Sequence, residues 1–367
     1  MKNIPFINLR SQQQARKPQI DEAIQAVLAH GQYIMGPEVK QLEETLSAFV
    51  NVKHCITVSS GTDALLIALM ALKIGVGDEV ITTPFTFIAT AEVIALLGAT
   101  PVFVDVDPNT ANLDVLKVED AITDRTKAII PVSLYGQCCD MDHLNAIAKA
   151  HNLPVIEDAA QSFGATYKGR RSCSLSEVGC TSFFPSKPLG CYGDGGAIFT
   201  NDDSMAQTMR EIRVHGQSKR YVHDQIGIGG RMDTLQCAIV LAKFPRFVEE
   251  IEMRQAIARR YDSGLASLSN RLKRIEILPE NKSVYGQYTV KTDDRENVVE
   301  ALSAAGVPTA IHYPVPLNEQ SAYQHYAHGN TPNSSELSKQ VISLPMSADL
   351  RLEDQDYIIS TLQEVLS

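Results

Sequence analysis

Short apolar runs and helical stretches follow one another in turn along the first two-thirds of the chain. Strand-like runs lie at 80–83, 101–106, 128–134 and 154–158, and helical stretches lie at 87–97 and 142–151. Strand, helix and strand at this spacing predict parallel strands that are joined by crossover helices. Because the strand-like runs are continuously apolar rather than alternating, we expect helices on both faces of the sheet.

The pattern changes after about residue 230. A long helical stretch runs from 234 to about 268, with an expected bend near Pro245. A strand-like run at 285–290, a helix at 295–305 and a final helix from 353 follow. We therefore predict an α/β fold with a large, mostly parallel sheet domain at 1–245 and a smaller C-terminal α+β lobe at 246–367.

Length and charge narrow the possible functions. The chain has 367 residues and a formal net charge of −10, without a basic cluster of the kind that nucleic-acid binding requires. The N-terminal stretch lacks the apolar core of a signal peptide, and no run approaches the roughly 20 apolar residues of a membrane span. We expect a cytoplasmic protein without nucleic-acid or membrane partners, although a local basic pocket for an anionic substrate remains open.

The seven cysteines are odd in number and show no C-x-x-C spacing. We expect them to be reduced and mostly buried, and we expect no metal. The adjacent Cys138 and Cys139 allow a redox pair as an alternative, but two small residues at a turn are the simpler interpretation.

Ligands of open α/β sheets bind beyond the carboxyl ends of the strands, so polar residues at those ends are the first candidates. The segment 59–63 opens a helix with small residues, which suits an anion but also suits an ordinary N-cap. Asp158 ends a strand, where it could point into the ligand crevice or simply form a turn. Gln161 lies three residues further on and could reach the same place.

Lys187 lies between Pro185 and Pro188, after an apolar strand and before the Gly-rich stretch 193–196. Pro188 keeps Lys187 out of a regular helix. A lysine in a desolvated pocket has a lowered pKa and becomes a usable amine nucleophile. Taken alone, Lys187 is interpreted more simply as a solvated loop residue.

Seven segments together resemble a known family. They lie in order over nearly the whole chain at 60–65, 84–90, 156–162, 182–187, 190–200, 231–233 and 312–314. Each segment alone is a weak signal, but the ordered set is specific. It resembles fold-type I pyridoxal phosphate enzymes, and more closely the DegT/DnrJ/EryC1/StrS family of nucleotide-sugar aminotransferases.

The resemblance implies a role for each candidate at the cofactor. Lys187 would form the Schiff base with pyridoxal 5'-phosphate and move the proton between substrate and cofactor carbons. Asp158 would pair with the pyridine nitrogen and keep the ring protonated, which makes the ring a better electron sink. Phe87 would stack on the ring, and Gln161 would lie near its phenolic oxygen.

The cofactor's phosphate would be held by the backbone of Gly61 and Thr62 together with the Ser182 hydroxyl. One departure from the family pattern concerns this phosphate. The family usually has an asparagine just before the arginine of the Arg231 segment and lends it to the partner subunit's phosphate. Here Gly229 stands at that position, so a side-chain contact across a homodimer is in doubt.

The reaction implied is transamination, because family members that dehydrate sugars carry a histidine in place of the lysine. The stretches 131–138 and 184–194 resemble the branch that acts on UDP-2-acetamido-2-deoxy-3-oxo-glucuronate in O-antigen and other lipopolysaccharide synthesis, with L-glutamate as usual donor. Arg231 suits the substrate carboxylate, and His312 and Tyr313 could close over the sugar. For these three residues, packing at a surface or between lobes is the plain alternative.

Other functions compete with this prediction. One is a 4-keto-sugar aminotransferase of the same family, and another is a pyridoxal phosphate-fold regulator or scaffold without turnover, which would not need Lys187. Decarboxylation and racemisation use the same lysine and aspartate, and the His312–Tyr313 stretch argues weakly against them. Whether the donor is glutamate or glutamine also stays open.

Overall fold

The computed structural model describes residues 4–326 and 329–366. Its helices are α1 (Leu9–Ala15), α2 (Lys17–His30), α3 (Pro37–Val50), α4 (Gly61–Ala71), α5 (Ala89–Leu96), α6 (Met141–Ala150), α7 (Asp203–Ile212), α8 (Thr234–Gly264), α9 (Arg295–Ala304), α10 (Pro332–Gln340) and α11 (Leu352–Leu366). Its strands are β1 (His54–Val58), β2 (Glu79–Thr82), β3 (Thr100–Phe103), β4 (Thr126–Ile130), β5 (Ile156–Asp158), β6 (Thr166–Tyr167), β7 (Arg170–Arg171), β8 (Val178–Ser182), β9 (Gly196–Thr200), β10 (Gln217–Lys219), β11 (Val222–His223), β12 (Lys273–Arg274), β13 (Asn281–Lys282), β14 (Tyr288–Lys291) and β15 (Val341–Leu344).

The central sheet combines two sets of strands. Strands β1, β9, β8 and β5 pair in that order, and β3, β2 and β4 form the second set. Parallel bridges from Ile129 to Val155 and from Val132 to Asp158 join β4 to β5. Strand β9 runs antiparallel to both of its neighbours, whereas β2 pairs in parallel with β3 and β4, and β5 with β8. The predicted, mostly parallel sheet is confirmed.

Helices cover both faces of this sheet, because successive strand residues point to opposite sides. Ile56 and Ile130 face one core, which α4, α5 and α7 complete. Their neighbours Cys55 and Ile129 face the other core, against α3 and α8. The continuous apolar runs of the sequence therefore have the predicted cause.

A smaller antiparallel sheet of order β12-β14-β15 forms the C-terminal lobe with α9 and α11. Helix α8 extends unbroken through Pro245 and packs in both parts, with Phe247 in a core of the large domain and Tyr261 in the core of the lobe. The long helix is confirmed, and a 3₁₀ turn at Ala266–Leu268 follows its end. The boundary near residue 245 stays a prediction, since one helix passes through it.

All seven cysteines are free and buried, as expected. Burial raises the pKa of the Cys138 thiol and raises that of Cys139 to about 12. Such thiols resist conversion to the reactive thiolate, which favours packing over a redox role. In the described part of the chain, no helix combines the length and the apolar character needed to cross a membrane.

Candidate active site

The predicted site residues of the large domain lie at the carboxyl edge of the central sheet. Asp158 is the last residue of β5, and Ser182 is the last residue of β8. Phe87 lies between β2 and α5, and Gly61 begins α4 shortly after β1. Parallel strands bring their carboxyl ends to one edge, so the topology gathers residues that are far apart in sequence.

Lys187 lies in a tight loop that backbone hydrogen bonds close. The Cys191 amide donates to the Phe183 carbonyl at 2.7 Å, and the Lys187 amide donates to the Phe184 carbonyl at 2.8 Å. Burial lowers the pKa of the Lys187 amine, and the negative charge of Asp158 raises it in part. The loop therefore presents an amine that loses its proton more easily than a solvated lysine does, and the solvated-loop alternative is disfavoured.

Asp158 is a buried carboxylate, 6% exposed. Its Oδ2 accepts from the Thr90 hydroxyl at 2.8 Å, and its Oδ1 accepts from the Ala160 amide at 3.1 Å. Burial raises the pKa of Asp158, whereas these two donors and Lys187 lower it. Among the described residues Asp158 forms no ion pair within 4 Å, so a nearby ligand cation would stabilise its charge.

The start of α4 and the end of β8 form a narrow, polar recess. Ser60 caps α4 by accepting from the Asp63 amide at 3.0 Å, which leaves the Gly61 and Thr62 amides without a helical acceptor. A Cβ on Gly61 would lie 2.7 Å from the Ser182 Cβ, so only glycine allows this approach. The two amides and the Ser182 hydroxyl together suit an anion such as a phosphate.

The second lobe contributes His312 and Tyr313 to the same site. The Gln161 Nε2 donates to the Tyr313 hydroxyl at 3.0 Å, and the rings of Phe87 and Tyr313 lie 6.2 Å apart. Phe87 is 54% exposed, so its ring is available to a ligand. Residues of both lobes therefore line one site.

The charges of Lys187 and Asp158 reach these second-lobe residues. Burial and the Lys187 charge lower the pKa of His312 to about 4, so the imidazole is neutral near pH 7. Burial and Asp158 raise the pKa of Tyr313 above its ordinary value. Both side chains therefore act as neutral hydrogen-bonding groups at this site.

Comparison with known proteins decides the family. The profile of the DegT/DnrJ/EryC1/StrS aminotransferase family matches residues 14–363. The chain belongs to this family. It is 59% identical to the UDP-2-acetamido-2-deoxy-3-oxo-D-glucuronate aminotransferase of Pseudomonas aeruginosa, over 94% of this chain and 95% of that protein.

Solved structures support the same assignment. A DegT/DnrJ/EryC1/StrS aminotransferase from Brucella abortus matches with a TM-score of 0.97 and 42% identity over the full length of both chains. NtdA from Bacillus subtilis, solved with bound cofactor PMP, matches with a TM-score of 0.93 and 32% identity, over 100% of this chain and 86% of that chain. This aminotransferase is therefore a pyridoxal phosphate-dependent enzyme, and its fold is that of fold-type I.

The residues at the sheet edge fit this cofactor. The recess of Gly61, Thr62 and Ser182 has donors for a phosphate, and the amine of Lys187 has the chemistry of a covalent attachment point. The unpaired carboxylate of Asp158 suits a protonated ring nitrogen.

Arg231 joins the site less directly than the other predicted residues. The Ser59 amide donates to the Gly230 carbonyl at 2.9 Å, which brings the Arg231 segment to the start of α4. Within residues 4–326 and 329–366, its guanidinium forms no ion pair. The positive charge of Arg231 is therefore available to an anionic ligand near the start of α4.

A side chain at position 229 would meet the imidazole of His215. A Cβ there would lie 3.1 Å from the Cε1 and 3.3 Å from the Nε2 of His215. The imidazole of His215 thus lies against the position where the family usually has an asparagine. A larger side chain at 229 requires His215 to move.

Three residues that sequence reasoning did not select contact the predicted ones. The Thr90 hydroxyl donates to Asp158, and the Ser343 hydroxyl contacts His312. Tyr135 makes two contacts: its amide donates to Gln161 at 2.9 Å, and its hydroxyl donates to the His312 carbonyl. A sequence signal was available for Ser343, which is a polar residue within the otherwise apolar strand β15. Its partner lies in another segment of the chain, so the signal alone names no role.

Proposed function

We propose that this aminotransferase transfers an amino group from L-glutamate to UDP-2-acetamido-2-deoxy-3-oxo-D-glucuronate, giving the UDP-3-amino uronate of surface polysaccharide such as O-antigen. The observation that carries the chemistry is Lys187, an amine of lowered pKa whose charge interacts with the buried Asp158. The relative of 59% identity carries the choice of substrate.

Lys187 and Asp158 divide the chemistry between them. The cofactor supplies an electron sink when it is bound. Lys187 would hold the cofactor through its Nζ, and this amine would carry the proton between the substrate and cofactor carbons. The Asp158 carboxylate would pair with the ring nitrogen, and Thr90 and the Ala160 amide hold the carboxylate in place.

The remaining residues position the cofactor. We assign the phosphate to the amides of Gly61 and Thr62 and to the hydroxyl of Ser182. The Ser182 Oγ accepts from the Phe184 amide at 3.2 Å, which leaves its proton free to donate. Phe87 would pack on the cofactor ring. Gln161 donates one amide proton to Tyr313 and would use its second amide proton to bind the phenolic oxygen.

The substrate carries a carboxylate and a diphosphate, so its subsite needs cations and neutral donors. Arg231 supplies the cation, in a geometry suited to bidentate carboxylate binding. His312 and Tyr313 supply neutral donors from the second lobe. A cation for the sugar carboxylate favours the uronate over a 4-keto sugar that lacks a carboxylate.

We also propose a homodimer with shared active sites, in the cytoplasm. Tyr33, Ile34 and Met35 are 47%, 52% and 44% exposed, and Ile34 forms a bridge to Asp233, two residues after Arg231. An exposed apolar segment beside the substrate arginine supports an interface at the site. The seven free, buried cysteines support a reducing compartment.

The visible absorbance spectrum of the cofactor-loaded protein tests the proposal. We expect a visible band from the lysine-bound cofactor, which L-glutamate converts to the shorter-wavelength amino form. Adding the 3-keto uronate should restore the band, whereas a 4-keto nucleotide sugar should not. Restoration by the 4-keto sugar alone would replace the proposed substrate, and a band that no donor changes would refute transamination.

A further inference from the structure

The imidazole of His312 lies against two buried hydroxyls of the second lobe. Its Nδ1 is 3.0 Å from the Ser343 Oγ, and the Ser343 Oγ is 2.9 Å from the Thr289 Oγ1. Ser343 is 0% exposed, so bulk water does not compete for its hydroxyl, and Thr289 is 5% exposed and lines a small cavity. The three groups form one chain of hydrogen bonds.

The strands place these hydroxyls by register. Thr289 of β14 is the direct cross-strand partner of Ser343 of β15. Their neighbours Tyr288, Val290 and Ile342 lie in the apolar core of the lobe, so the alternation of a strand turns Thr289 and Ser343 to the opposite face. Along the free edge of β15, the backbone of Ser343 also forms a bridge to Ala310, two residues before His312.

The hydrogen bonds among His312, Ser343 and Thr289 can have their donors arranged in two ways. If Thr289 donates to Ser343 and Ser343 donates to Nδ1, each hydroxyl proton has an acceptor. If Nδ1 carries the proton and donates to Ser343, the proton of Ser343 goes to Thr289, and no acceptor for the Thr289 proton is found among the described residues. Thr289 lines a cavity wide enough for water, so the second arrangement needs an immobilised water as the acceptor of the Thr289 proton. The first arrangement keeps every hydrogen bond within the protein and is therefore favoured.

We propose that Ser343, supported by Thr289, is a positioning residue that fixes His312 as the tautomer with its proton on Nε2. The inference deepens the proposed function, on which its catalytic part rests. The imidazole then presents an N–H donor to an oxygen of the keto-sugar. The other tautomer would present a lone pair there, which repels a carboxylate or keto oxygen.

Nitrogen NMR of histidine-labelled protein tests the tautomer. The measurement needs neither substrate nor turnover, and a His312→Gln variant assigns the signal. We expect His312 in the neutral form protonated on Nε2, with a single set of shifts. In Ser343→Ala the chemical shift of the His312 Nδ1 should change. Ser338→Ala is the control and should leave that shift unchanged, because Ser338 is a buried serine whose Oγ donates to the Ser335 carbonyl at 2.8 Å. A proton on Nδ1 in the unaltered protein would overturn the inference.

Half-reaction kinetics test the positioning role. Ser343→Ala should weaken keto-sugar binding by about 10-fold, the value of one hydrogen bond, and leave the half-reaction with L-glutamate within about 2-fold. Equal loss in both half-reactions, or no loss in either, would overturn the role of Ser343. If the protein transaminates no keto-sugar at all, the proposed function fails, and the NMR result still decides the tautomer.

Discussion

The two halves of the active site are held in different ways. In the large domain, Asp158 and Ser182 belong to strands, and backbone hydrogen bonds fix them: the Asp158 amide donates to the Pro131 carbonyl, and Ser182 pairs with Gly196. In the second lobe, His312 and Tyr313 belong to no helix or strand. Side chains hold them, and those side chains come from distant parts of the chain.

The sequence separations measure this difference. Tyr135 contacts the His312 carbonyl across 177 residues, and Gln161 contacts Tyr313 across 152 residues. The loop of Lys187, by contrast, closes between Phe183 and Cys191. We infer that the large-domain half serves the cofactor and both half-reactions, whereas the second-lobe half serves the keto-sugar alone. The following variants test that division.

The largest effect is expected at Lys187. Lys187→Ala removes both the attachment amine and the proton carrier, so turnover should fall by roughly 10³-fold or more, and the visible band of the lysine-bound cofactor should disappear. Absorbance and steady-state rates measure the two effects. Lys168→Ala is the control, since Lys168 is a surface lysine paired with Asp142 at 2.7 Å. Full turnover in Lys187→Ala with an intact fold would refute the central assignment.

A neutral residue at 158 should have the next largest effect. Asp158→Ala should lose most turnover even if cofactor stays bound, and Asp158→Asn, which keeps the shape, should lose roughly 100-fold in both half-reactions, or about 3 kcal/mol. Thr90→Val keeps the carboxylate and should lose much less. Rates of Asp158→Asn close to normal would mean that another group serves the ring nitrogen.

Asp158→Asn should also change the pH dependence of cofactor uptake. Burial lowers the pKa of Lys187, and Asp158 opposes that shift. Removing the Asp158 charge should lower the pKa of Lys187 further, so the neutral amine is present at lower pH. The pH profile of the rate at which apoprotein takes up cofactor should therefore move to lower pH in Asp158→Asn. A profile that moves upward would contradict the electrostatic argument.

The division between the halves also explains what the sequence could predict. The parallel sheet and its strand ends follow from local patterns, because apolar runs fix the strands and the topology gathers their ends. Local patterns made Lys187 and Asp158 candidates only, and the resemblance to the family gave them their predicted roles. Tyr135 and Ser343 could not be selected in this way. The role of Tyr135 depends on the docking of the second lobe against the sheet edge, and that of Ser343 depends on how the 310–313 segment packs on β15. No local periodicity encodes either arrangement.

The recess for the phosphate offers a steric test of the large-domain half. Gly61→Ala places a methyl group 2.7 Å from the Ser182 Cβ, so the recess must widen or distort, and cofactor affinity should fall by about 10-fold. Gly75→Ala is a matched control, because a Cβ there meets nothing within 4 Å. Cofactor titration followed by absorbance gives both dissociation constants. Equal affinities in the two variants would remove Gly61 from the phosphate site.

The smallest effect, and the sharpest test of the division, is expected at Tyr135. Tyr135→Phe keeps the buried ring but removes the hydroxyl that donates to the His312 carbonyl. The backbone bond from Tyr135 to Gln161 remains, so the large-domain half should be unchanged. We expect the KM for the keto-sugar to rise by a few-fold to about 10-fold, with the L-glutamate half-reaction unchanged.

Tyr167→Phe is the control, since the Tyr167 hydroxyl donates to Asp140 at 2.8 Å and touches none of the predicted site residues. If Tyr135→Phe slows the glutamate half-reaction as much as the keto-sugar step, the two halves are coupled, and the division proposed here is wrong.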